Sequence, residues 1–228
     1  METNFDFLTR LKERQSSTSS EQRWLEERMK SIGASDAAAV IGQSPYMTNE
    51  QLWELKTRRR QPKDLSENPF IQYGKSAEPH LRALFSLNFP QYEVIYDQYG
   101  IVRNPDYLFI SATLDGVLVD RETRSRGVLE IKTTEIMRSG QWDDWNGKIP
   151  QHYYIQCLHQ LLASDGDFVI LMAQIRWRKG DDLNITIRHY QINRADVAED
   201  LKNLLKSEIE FWECVSQDKR PNMRLPQI

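Results

Sequence analysis

Residues 109–119 read FISATLDGVLV and residues 128–132 read VLEIK, with a polar, arginine-rich turn between them. Both runs are rich in apolar and β-branched residues, which is typical of paired strands. Within the first run, a strand-like segment ends in an acidic residue, Asp115, that is followed by a glycine. We therefore predict a β-hairpin in which Asp115, at the end of the first strand, meets the middle of the second.

The second strand of this hairpin carries an acid and a lysine two positions apart. Because successive side chains alternate between the faces of a strand, Glu130 and Lys132 point to the same face. Their neighbours Leu129 and Ile131 then point into the core. The pattern predicts that Asp115, Glu130 and Lys132 converge in one site.

The first third of the chain has the periodicity and the capping residues of helices. Thr48 is suited to cap a helix, and either Ser35 or Asp36 can cap a shorter one. Pro69 fits the first position of an amphipathic helix, which Pro79 in its interior must kink or divide. We predict helices at 21–30, at 37–41, from Thr48 onward and at 69–87.

The rest of the chain alternates between strand-like and helix-like patterns. Short apolar runs predict a β-meander at 94–96, 100–103, 107–113, 116–119 and 128–133. A helix at 151–163, strands at 168–177 and 184–190, and a closing helix from 195 to about 215 follow. These patterns predict an α/β fold with a central mixed β-sheet flanked by helices and a helical N-terminal third.

Length and composition favour one domain. Of the 228 residues, 39% are hydrophobic, which is enough for one sizeable core. Residues 1–20 are polar, so we expect an N-terminal arm or linker there and a single domain over 21–228. No run approaches the roughly 18 apolar residues that cross a membrane, and we expect a cytoplasmic protein. Two cysteines, Cys157 and Cys214, exclude a disulfide framework and a four-cysteine cluster.

The charge of the chain also restricts its function. A net charge of -3 disfavours a protein that coats nucleic acid non-specifically, because such proteins carry a large basic excess. A nuclease is compatible with it, because carboxylates at a metal site offset basic residues around them. Three basic clusters fit that arrangement, although each alone also fits a solvated surface patch: Arg58 to Arg60, Arg121 to Arg126, and Arg176 to Lys179.

Cleavage of a phosphodiester explains why two acids and a lysine belong together. The phosphate repels a nucleophile and the leaving oxygen gains charge, so hard divalent cations held by carboxylates are a natural solution. Other acid-x-lysine triplets, Glu54-Leu55-Lys56 and Asp200-Leu201-Lys202, fall in helical patterns, where residues two apart face different directions. The alternative for Glu130 is an edge strand with solvated charges, preceded by a turn aspartate.

Asp115 with Glu130-Ile131-Lys132 resembles the signature of the PD-(D/E)XK nucleases. Further segments resemble the YqaJ-like viral recombinase branch, the family of the phage lambda exonuclease, in that family's order over about residues 21–165. They are Trp24 with Arg28, Gly33-Ala34-Ser35-Asp36, Tyr73-Gly74-Lys75 with Glu78, and Gln156. The resemblance implies a restriction-endonuclease-like core.

The resemblance also implies an activity and its partners. Family members digest one strand of linear double-stranded DNA from five-prime to three-prime and leave a three-prime tail for a single-strand annealing protein. We therefore expect a Mg²⁺-dependent exonuclease with two bound ions, which Mn²⁺ can replace. A homotrimer around the DNA and a phage or prophage origin in a bacterial cell are also implied.

The matching residues carry specific expected roles. By resemblance, Asp115, Glu130 and the carbonyl of Ile131 are metal ligands, Lys132 is the catalytic lysine, and Glu78 approaches the metals through water. Pro79 directly follows Glu78 and can bend the helix that carries it. The proline of the signature is replaced by Leu114.

A second set of matching residues surrounds the five-prime phosphate: Arg28, Ser35, Thr113 and Gln156. The planar guanidinium of Arg28 suits a phosphate dianion, and Ser35 lies where a hydroxyl and a helix N-terminus can both point at an anion. The alternatives are a surface ion pair of Arg28 with Glu21 or Glu27, a helix cap at Ser35, and a polar edge residue at Gln156.

Other functions remain open from the sequence. One is a nuclease of the same superfamily with another polarity, or an endonuclease. The other is a non-catalytic DNA-binding recombination protein that retains the fold. Where family members often carry a tyrosine a few residues after the glutamine, this chain has His159 or Gln160, and His159 is more often a structural helix residue than a catalyst.

Overall fold

The computed structural model describes residues 17–224. Its α-helices are α1 Ser17–Met29, α2 Ala37–Val40, α3 Asn49–Lys56, α4 Pro69–Asn88, α5 Gln151–Ser164 and α6 Ala198–Ser216. Its strands are β1 Tyr92–Ile95, β2 Val102–Arg103, β3 Ser111–Ala112, β4 Gly116–Asp120, β5 Arg126–Ile136, β6 Phe168–Lys179 and β7 Asp182–Asn193. Two 3₁₀ turns, Ser139–Trp145 and Arg194–Val197, precede α5 and α6.

The central sheet has the order β1-β4-β5-β6-β7. All neighbouring strands are antiparallel except β5 and β6, which are parallel. A parallel pair needs a crossover connection, and α5 provides it between β5 and β6. The predicted α/β fold with a central mixed sheet and a helical first third is confirmed.

Helices cover both faces of this sheet. Leu81 and Phe85 of α4 pack on one face with Leu129 and Ile131, as the alternation of β5 predicted. On the other face, α5 packs against Val128 and the apolar side chains of β6, and α6 contacts α5 from outside. The residues of β5 that face α5 are therefore enclosed between two layers.

The predicted meander is wrong. The β2 and β3 strands form a separate two-stranded sheet. In the central sheet, β1 pairs with β4, although β2 and β3 lie between them in the sequence. Most of 107–113 is not strand, because the chain turns there and the N–H of Ile110 donates to the carbonyl of Tyr107. The backbone of Ile32 then forms an isolated parallel bridge at Ile110: Ile32 donates to the carbonyl of Phe109, and Ser111 donates to the carbonyl of Ile32. The hairpin itself exists as β4 and β5.

Several local predictions can be compared with the helices. Thr48 caps α3 as predicted, and Gln51 completes a capping box with it. Pro79 does not divide α4, which continues as one helix of 20 residues. The N-terminal helix begins at Ser17, so the predicted boundary at residue 20 falls inside α1, and residues 1–16 lie outside the described residues. Within 17–224, no helix combines the length and the hydropathy that a membrane span requires.

Candidate active site

Asp115 stands directly before β4, not at the end of the preceding strand as predicted. One step further along the chain, Gly116 pairs with Leu129, so Asp115 lies beside Glu130. Its Oδ2 accepts a hydrogen bond of 2.8 Å from the backbone N–H of Ile131. Because the N–H and C=O of one strand residue point to the same edge, the Ile131 carbonyl also faces the Asp115 side.

Glu130 is almost completely enclosed, with 2% of its surface exposed. Its Oε1 accepts a bond of 2.6 Å from Gln156 and lies 2.6 Å from the ammonium of Lys132, and its Oε2 accepts from Gln160. Gln156 and Gln160 are one helical turn apart on α5 and therefore reach the same carboxylate. The alternative of a solvated edge strand is wrong, because β5 lies in the middle of the sheet.

Lys132 combines a partly exposed side chain with a strongly acidic environment. Its ammonium contacts Glu130 and lies 5.0 Å from the centre of the Tyr153 ring. Burial disfavours its charge, but the Glu130 and Asp115 carboxylates outweigh burial and raise the pKa of Lys132 above its ordinary value. Lys132 is therefore a cation at neutral pH, suited to stabilising negative charge.

Glu78 is on α4, which covers the opposite face of the sheet. Arg82, one turn later, forms an ion pair with Glu78 and donates a bond of 2.6 Å to the backbone carbonyl of Asp115. The guanidinium of Arg82 also stacks on Tyr96. Sequence analysis did not find Arg82, although the spacing from Glu78 favours an ion pair on a helix.

Most of these side chains line one cavity of about 680 Å³, but Tyr153 and Gln160 do not. The backbone of Ile131, together with Glu78, Asp115, Glu130 and Lys132, forms one part of its wall. Arg28, Ser35, Thr113 and Gln156, the residues predicted to surround a phosphate, also line it. The structure thus brings both predicted sets together.

The carboxylates of this cavity fit a divalent cation. Burial raises the pKa of Asp115 well above its ordinary value, and repulsion from Glu130 and Glu78 raises it further. A cation among these oxygens would relieve the repulsion, and oxygen ligands are those that Mg²⁺ prefers. Within residues 17–224 no three His, Cys, Asp or Glu side chains already stand at metal-ligand spacing. A cation bound by Glu130 would have to displace the Gln156, Gln160 and Lys132 donors from its oxygens.

Trp24 contacts both Arg28 and Thr113, and Arg28 in turn contacts Ser35. The Arg28 guanidinium lies 4.6 Å from the centre of the Trp24 ring and donates a long bond of 3.4 Å to the Ser35 hydroxyl. The indole N–H of Trp24 donates a bond of 2.8 Å to Thr113, which leaves the threonine hydroxyl hydrogen free to point elsewhere. A partly exposed guanidinium and two hydroxyls therefore face the cavity together.

The alternative interpretations of Arg28 and Ser35 do not hold. Glu27 pairs with Lys30 and Arg103, and among the described residues Arg28 forms no ion pair with it or with Glu21. The N-cap position of α2 is occupied by Asp36, and no side-chain cap bond forms there. Asp36 therefore stands at the predicted N-cap position but does not cap the helix with its side chain, and Ser35 is not the cap.

His159 is a structural residue. Its Nδ1 lies 2.6 Å from Glu208 and its Nε2 lies 2.9 Å from the carbonyl of Ser111. Both His159 and Glu208 are fully buried. The two cysteines are free, with Cys157 buried and Cys214 partly buried. The helical acid-x-lysine triplets lie apart from the cavity wall.

A family model for the YqaJ-like viral recombinase domain matches residues 23–167, a span that includes every residue lining the cavity except Glu21. The chain belongs to this family. Its relatives include the Bacillus subtilis (strain 168) protein YqaJ, which is 28% identical over 200 residues, covering 85% of this chain and 56% of the relative. Protein R354 of Acanthamoeba polyphaga mimivirus is 27% identical over 157 residues, covering 64% of this chain and 27% of the relative. The chain therefore spans about half or less of the length of these relatives.

The fold of this family member is shared with a solved nuclease structure. The alkaline exonuclease LHK-Exo from Laribacter hongkongensis superposes with a TM-score of 0.60 at 19% identity, covering 86% of this chain and 95% of that one. Its complex with dAMP superposes equally well, over 87% of this chain and 96% of that one. These likenesses establish the shared fold.

Proposed function

We propose that this protein is a Mg²⁺-dependent exonuclease that digests one strand of linear double-stranded DNA from the five-prime end and leaves three-prime tails for recombination. The observation that carries the proposal is the single cavity in which Glu78, Asp115, Glu130 and Lys132 meet the guanidinium of Arg28. Membership of the recombinase family and the fold of an alkaline exonuclease support it.

The residues divide into two chemical groups. Asp115, Glu130 and the Ile131 carbonyl would hold Mg²⁺, with Glu78 acting through water. When bound, Mg²⁺ supplies Lewis-acid polarisation of the phosphate and lowers the pKa of a bound water. The Lys132 ammonium orients the attacking water and stabilises the negative charge that develops on the phosphate.

The other group explains dependence on a DNA end. Arg28 offers two parallel N–H donors to a terminal phosphate, and the Ser35 and Thr113 hydroxyls add donors beside it. Gln156 contacts Glu130 and lies on the same cavity wall, so both groups act within one enclosed space. A five-prime phosphate bound by Arg28 would place a nearby phosphodiester at the acids.

The decisive experiment is digestion of a linear duplex that carries different labels at its two ends, with and without Mg²⁺. We expect Mg²⁺-dependent release of the five-prime label first, and loss of release in the Asp115→Ala, Glu130→Ala and Lys132→Ala variants. Melting curves confirm that each variant is folded. Normal turnover by a variant would remove that residue from the site, and first release of the three-prime label would reverse the polarity.

Arg28 has a separate test. A five-prime phosphate should accelerate digestion relative to a five-prime hydroxyl, and Arg28→Ala should remove that advantage more than it weakens overall DNA binding. Arg121→Ala, in an exposed turn, is the matched control and should retain the advantage. Equal rates on both ends with the unmodified protein would refute the phosphate pocket.

Two other functions are distinguished by the same assays. An endonuclease of the superfamily would cut covalently closed circular duplex, on which an end-dependent enzyme cannot start. A non-catalytic recombination protein would bind DNA without Mg²⁺ and release no label with any metal. The enclosed acids favour catalysis, because a binding surface alone gains nothing from buried carboxylates.

We also propose a single-strand annealing protein as partner and a homotrimer as the assembly. Family membership alone supports both. Light scattering of the purified protein measures the mass of the assembly, and a mass other than that of a trimer would refute the proposed homotrimer.

A further inference from the structure

A buried ion pair lies behind the cavity wall that carries Arg28 and Ser35. The ammonium of Lys56 lies 2.6 Å from Oδ2 of Asp36, and only 3% and 14% of the two side chains are exposed. Lys56 is the last residue of α3, and Asp36 directly precedes α2. Neither residue lines the cavity.

Each member of the pair holds the backbone of a cavity residue. Lys56 donates a second bond, of 2.9 Å, to the carbonyl of Arg28. That carbonyl is in the last turn of α1, where backbone carbonyls lack partners within the helix. The N–H of Ile32, four residues later, donates to the carbonyl of Phe109 and not to Arg28. Lys56 therefore caps α1 at the residue whose side chain enters the cavity.

Asp36 holds the turn of residues 33–36, which follows α1. Its Oδ2 accepts a bond of 3.0 Å from the N–H of Gly33, while its own N–H donates to the carbonyl of Gly33 at 2.8 Å. This closed turn contains Ser35. Oδ2 of Asp36 thus accepts bonds from both the Lys56 ammonium and the Gly33 N–H. Because Lys56 also binds the Arg28 carbonyl, the pair links the position of Ser35 to that of Arg28.

The energetics favour a geometric role for this pair. Burial opposes the charge of Asp36, but Lys56 and the Gly33 N–H outweigh it and lower the pKa of Asp36 below its ordinary value. A buried ion pair seldom stabilises a fold more than apolar residues of similar volume would. What apolar residues cannot supply is a fixed bond to the Arg28 carbonyl and another to the Gly33 N–H.

We propose that Asp36 and Lys56 are positioning residues that hold the Arg28 guanidinium and the Ser35 hydroxyl at the spacing needed to grip a five-prime phosphate. This inference rests on the proposed function. It assigns to the pair discrimination between phosphorylated and hydroxyl ends, and no part in hydrolysis.

The test uses the Lys56→Met variant and the Asp36→Asn/Lys56→Met double variant, in which no unpaired charge is left buried. Initial rates are measured on duplexes with a five-prime phosphate and with a five-prime hydroxyl. We expect the phosphate advantage to fall about tenfold or more, since small misplacements of binding groups are costly. The loss should lie in KM for the phosphorylated end, with kcat on hydroxyl ends unchanged.

A matched control is available in another partly buried ion pair. Arg176 and Glu135 lie 3.2 Å apart with 15% and 13% of their side chains exposed, on β6 and β5. Glu135→Gln should lower the melting temperature without changing the phosphate advantage. If the folded Lys56→Met and double variants keep the unmodified protein's advantage, or lose kcat equally on both ends, the inference is overturned.

Direct binding separates this inference from the proposed nuclease activity. Short duplexes with either five-prime end are titrated without metal, and fluorescence anisotropy gives their affinities. If the unmodified protein prefers the phosphorylated end and Arg28→Ala removes the preference, the pocket stands, and retention of the preference in Lys56→Met then refutes only the positioning role. If the unmodified protein shows no preference, pocket and positioning role fail together.

Discussion

Gln156 donates a hydrogen bond of 2.6 Å to Oε1 of Glu130 and lines the cavity that Arg28 also lines. Gln160, one turn later, donates to the other oxygen of the same carboxylate but is fully buried. The two amides therefore have similar partners and different access to a bound substrate.

This difference predicts separable effects of the two amides. Gln160→Met removes a buried donor to Glu130 and should lower kcat by about tenfold or more, since a bond to a charged group contributes roughly 1.5–3 kcal/mol. The preference for a five-prime phosphate should persist. Gln156→Met should lower both kcat and that preference. Steady-state rates on the two duplex ends measure each effect, and identical profiles for the two variants would contradict the distinction.

Asp115→Asn should raise the stability of the metal-free protein. Burial and the neighbouring carboxylates Glu130 and Glu78 disfavour the charge of Asp115, and asparagine removes that charge while its oxygen can still accept the N–H of Ile131. A rise of a few degrees is expected, because about 1 kcal/mol shifts the Tm of a chain of this size by roughly 2–4 °C. Thermal unfolding in a chelator measures it.

If the protein binds Mg²⁺ as proposed, Mg²⁺ should raise the Tm of the unmodified protein, because a ligand that binds the folded state stabilises it, and Asp115→Asn should lose this shift. Glu93→Gln, on the exposed side of β1, is the control and should change neither value. A metal-induced shift of normal size in Asp115→Asn would remove Asp115 from the metal ligands.

The hairpin was predictable because its determinants are local. Alternation along β5 assigned Leu129 and Ile131 to one face and Glu130 to the other. The position of Asp115 outside the strand was not predictable. The strand before it, β3, covers only Ser111–Ala112, and the backbone of Ile32, distant in sequence, pairs with Phe109 and Ser111 at the start of that strand.

The partners of the site residues also divide into those with a local signal in the sequence and those that depend on long-range packing. Gln160 could have been found from its one-turn spacing to Gln156. Lys56 could not, since its contact with Arg28 depends on how α3 packs beside α1. The sequence placed the triplet containing Lys56 on a helix, where it is found, but a structural role for that lysine has no signal in the sequence.

The His159 and Glu208 pair predicts a pH-dependent stability. Burial opposes protonation of His159, but Glu208 and the Ser111 carbonyl outweigh burial and raise the pKa of His159 above its ordinary value. The stabilisation by this pair is therefore complete below the unfolded pKa of about 6.5 and is lost as pH rises through the folded pKa. Unfolding free energies from denaturant titrations at a series of pH values measure it.

His159→Gln provides the comparison for this prediction. The difference in unfolding free energy between the unmodified protein and His159→Gln should be largest near pH 6 and should shrink above the folded pKa. His80→Gln, on an exposed part of α4, should show no such trend. A difference that grows with pH would show that His159 is buried in its neutral form.

Gly127→Ala should destabilise the sheet, because a methyl group at Gly127 would overlap the ring of Phe168 on the neighbouring strand. Phe168 is 6% exposed and packs against Tyr92, so it has little room to move. Overpacking of this kind costs about 1–3 kcal/mol. Gly140→Ala is the matched control, since nothing lies within 4 Å of the added methyl there.

The cause of this loss can be isolated with a second substitution. Phe168→Leu removes the ring atoms that the new methyl would meet, so Gly127→Ala should cost less in the Phe168→Leu background than in the unmodified protein. Unfolding free energies of the four proteins give the coupling between the two sites. If the two costs are additive, the substitutions act independently. The loss in Gly127→Ala would then come from the backbone at Gly127 and not from overlap with the Phe168 ring.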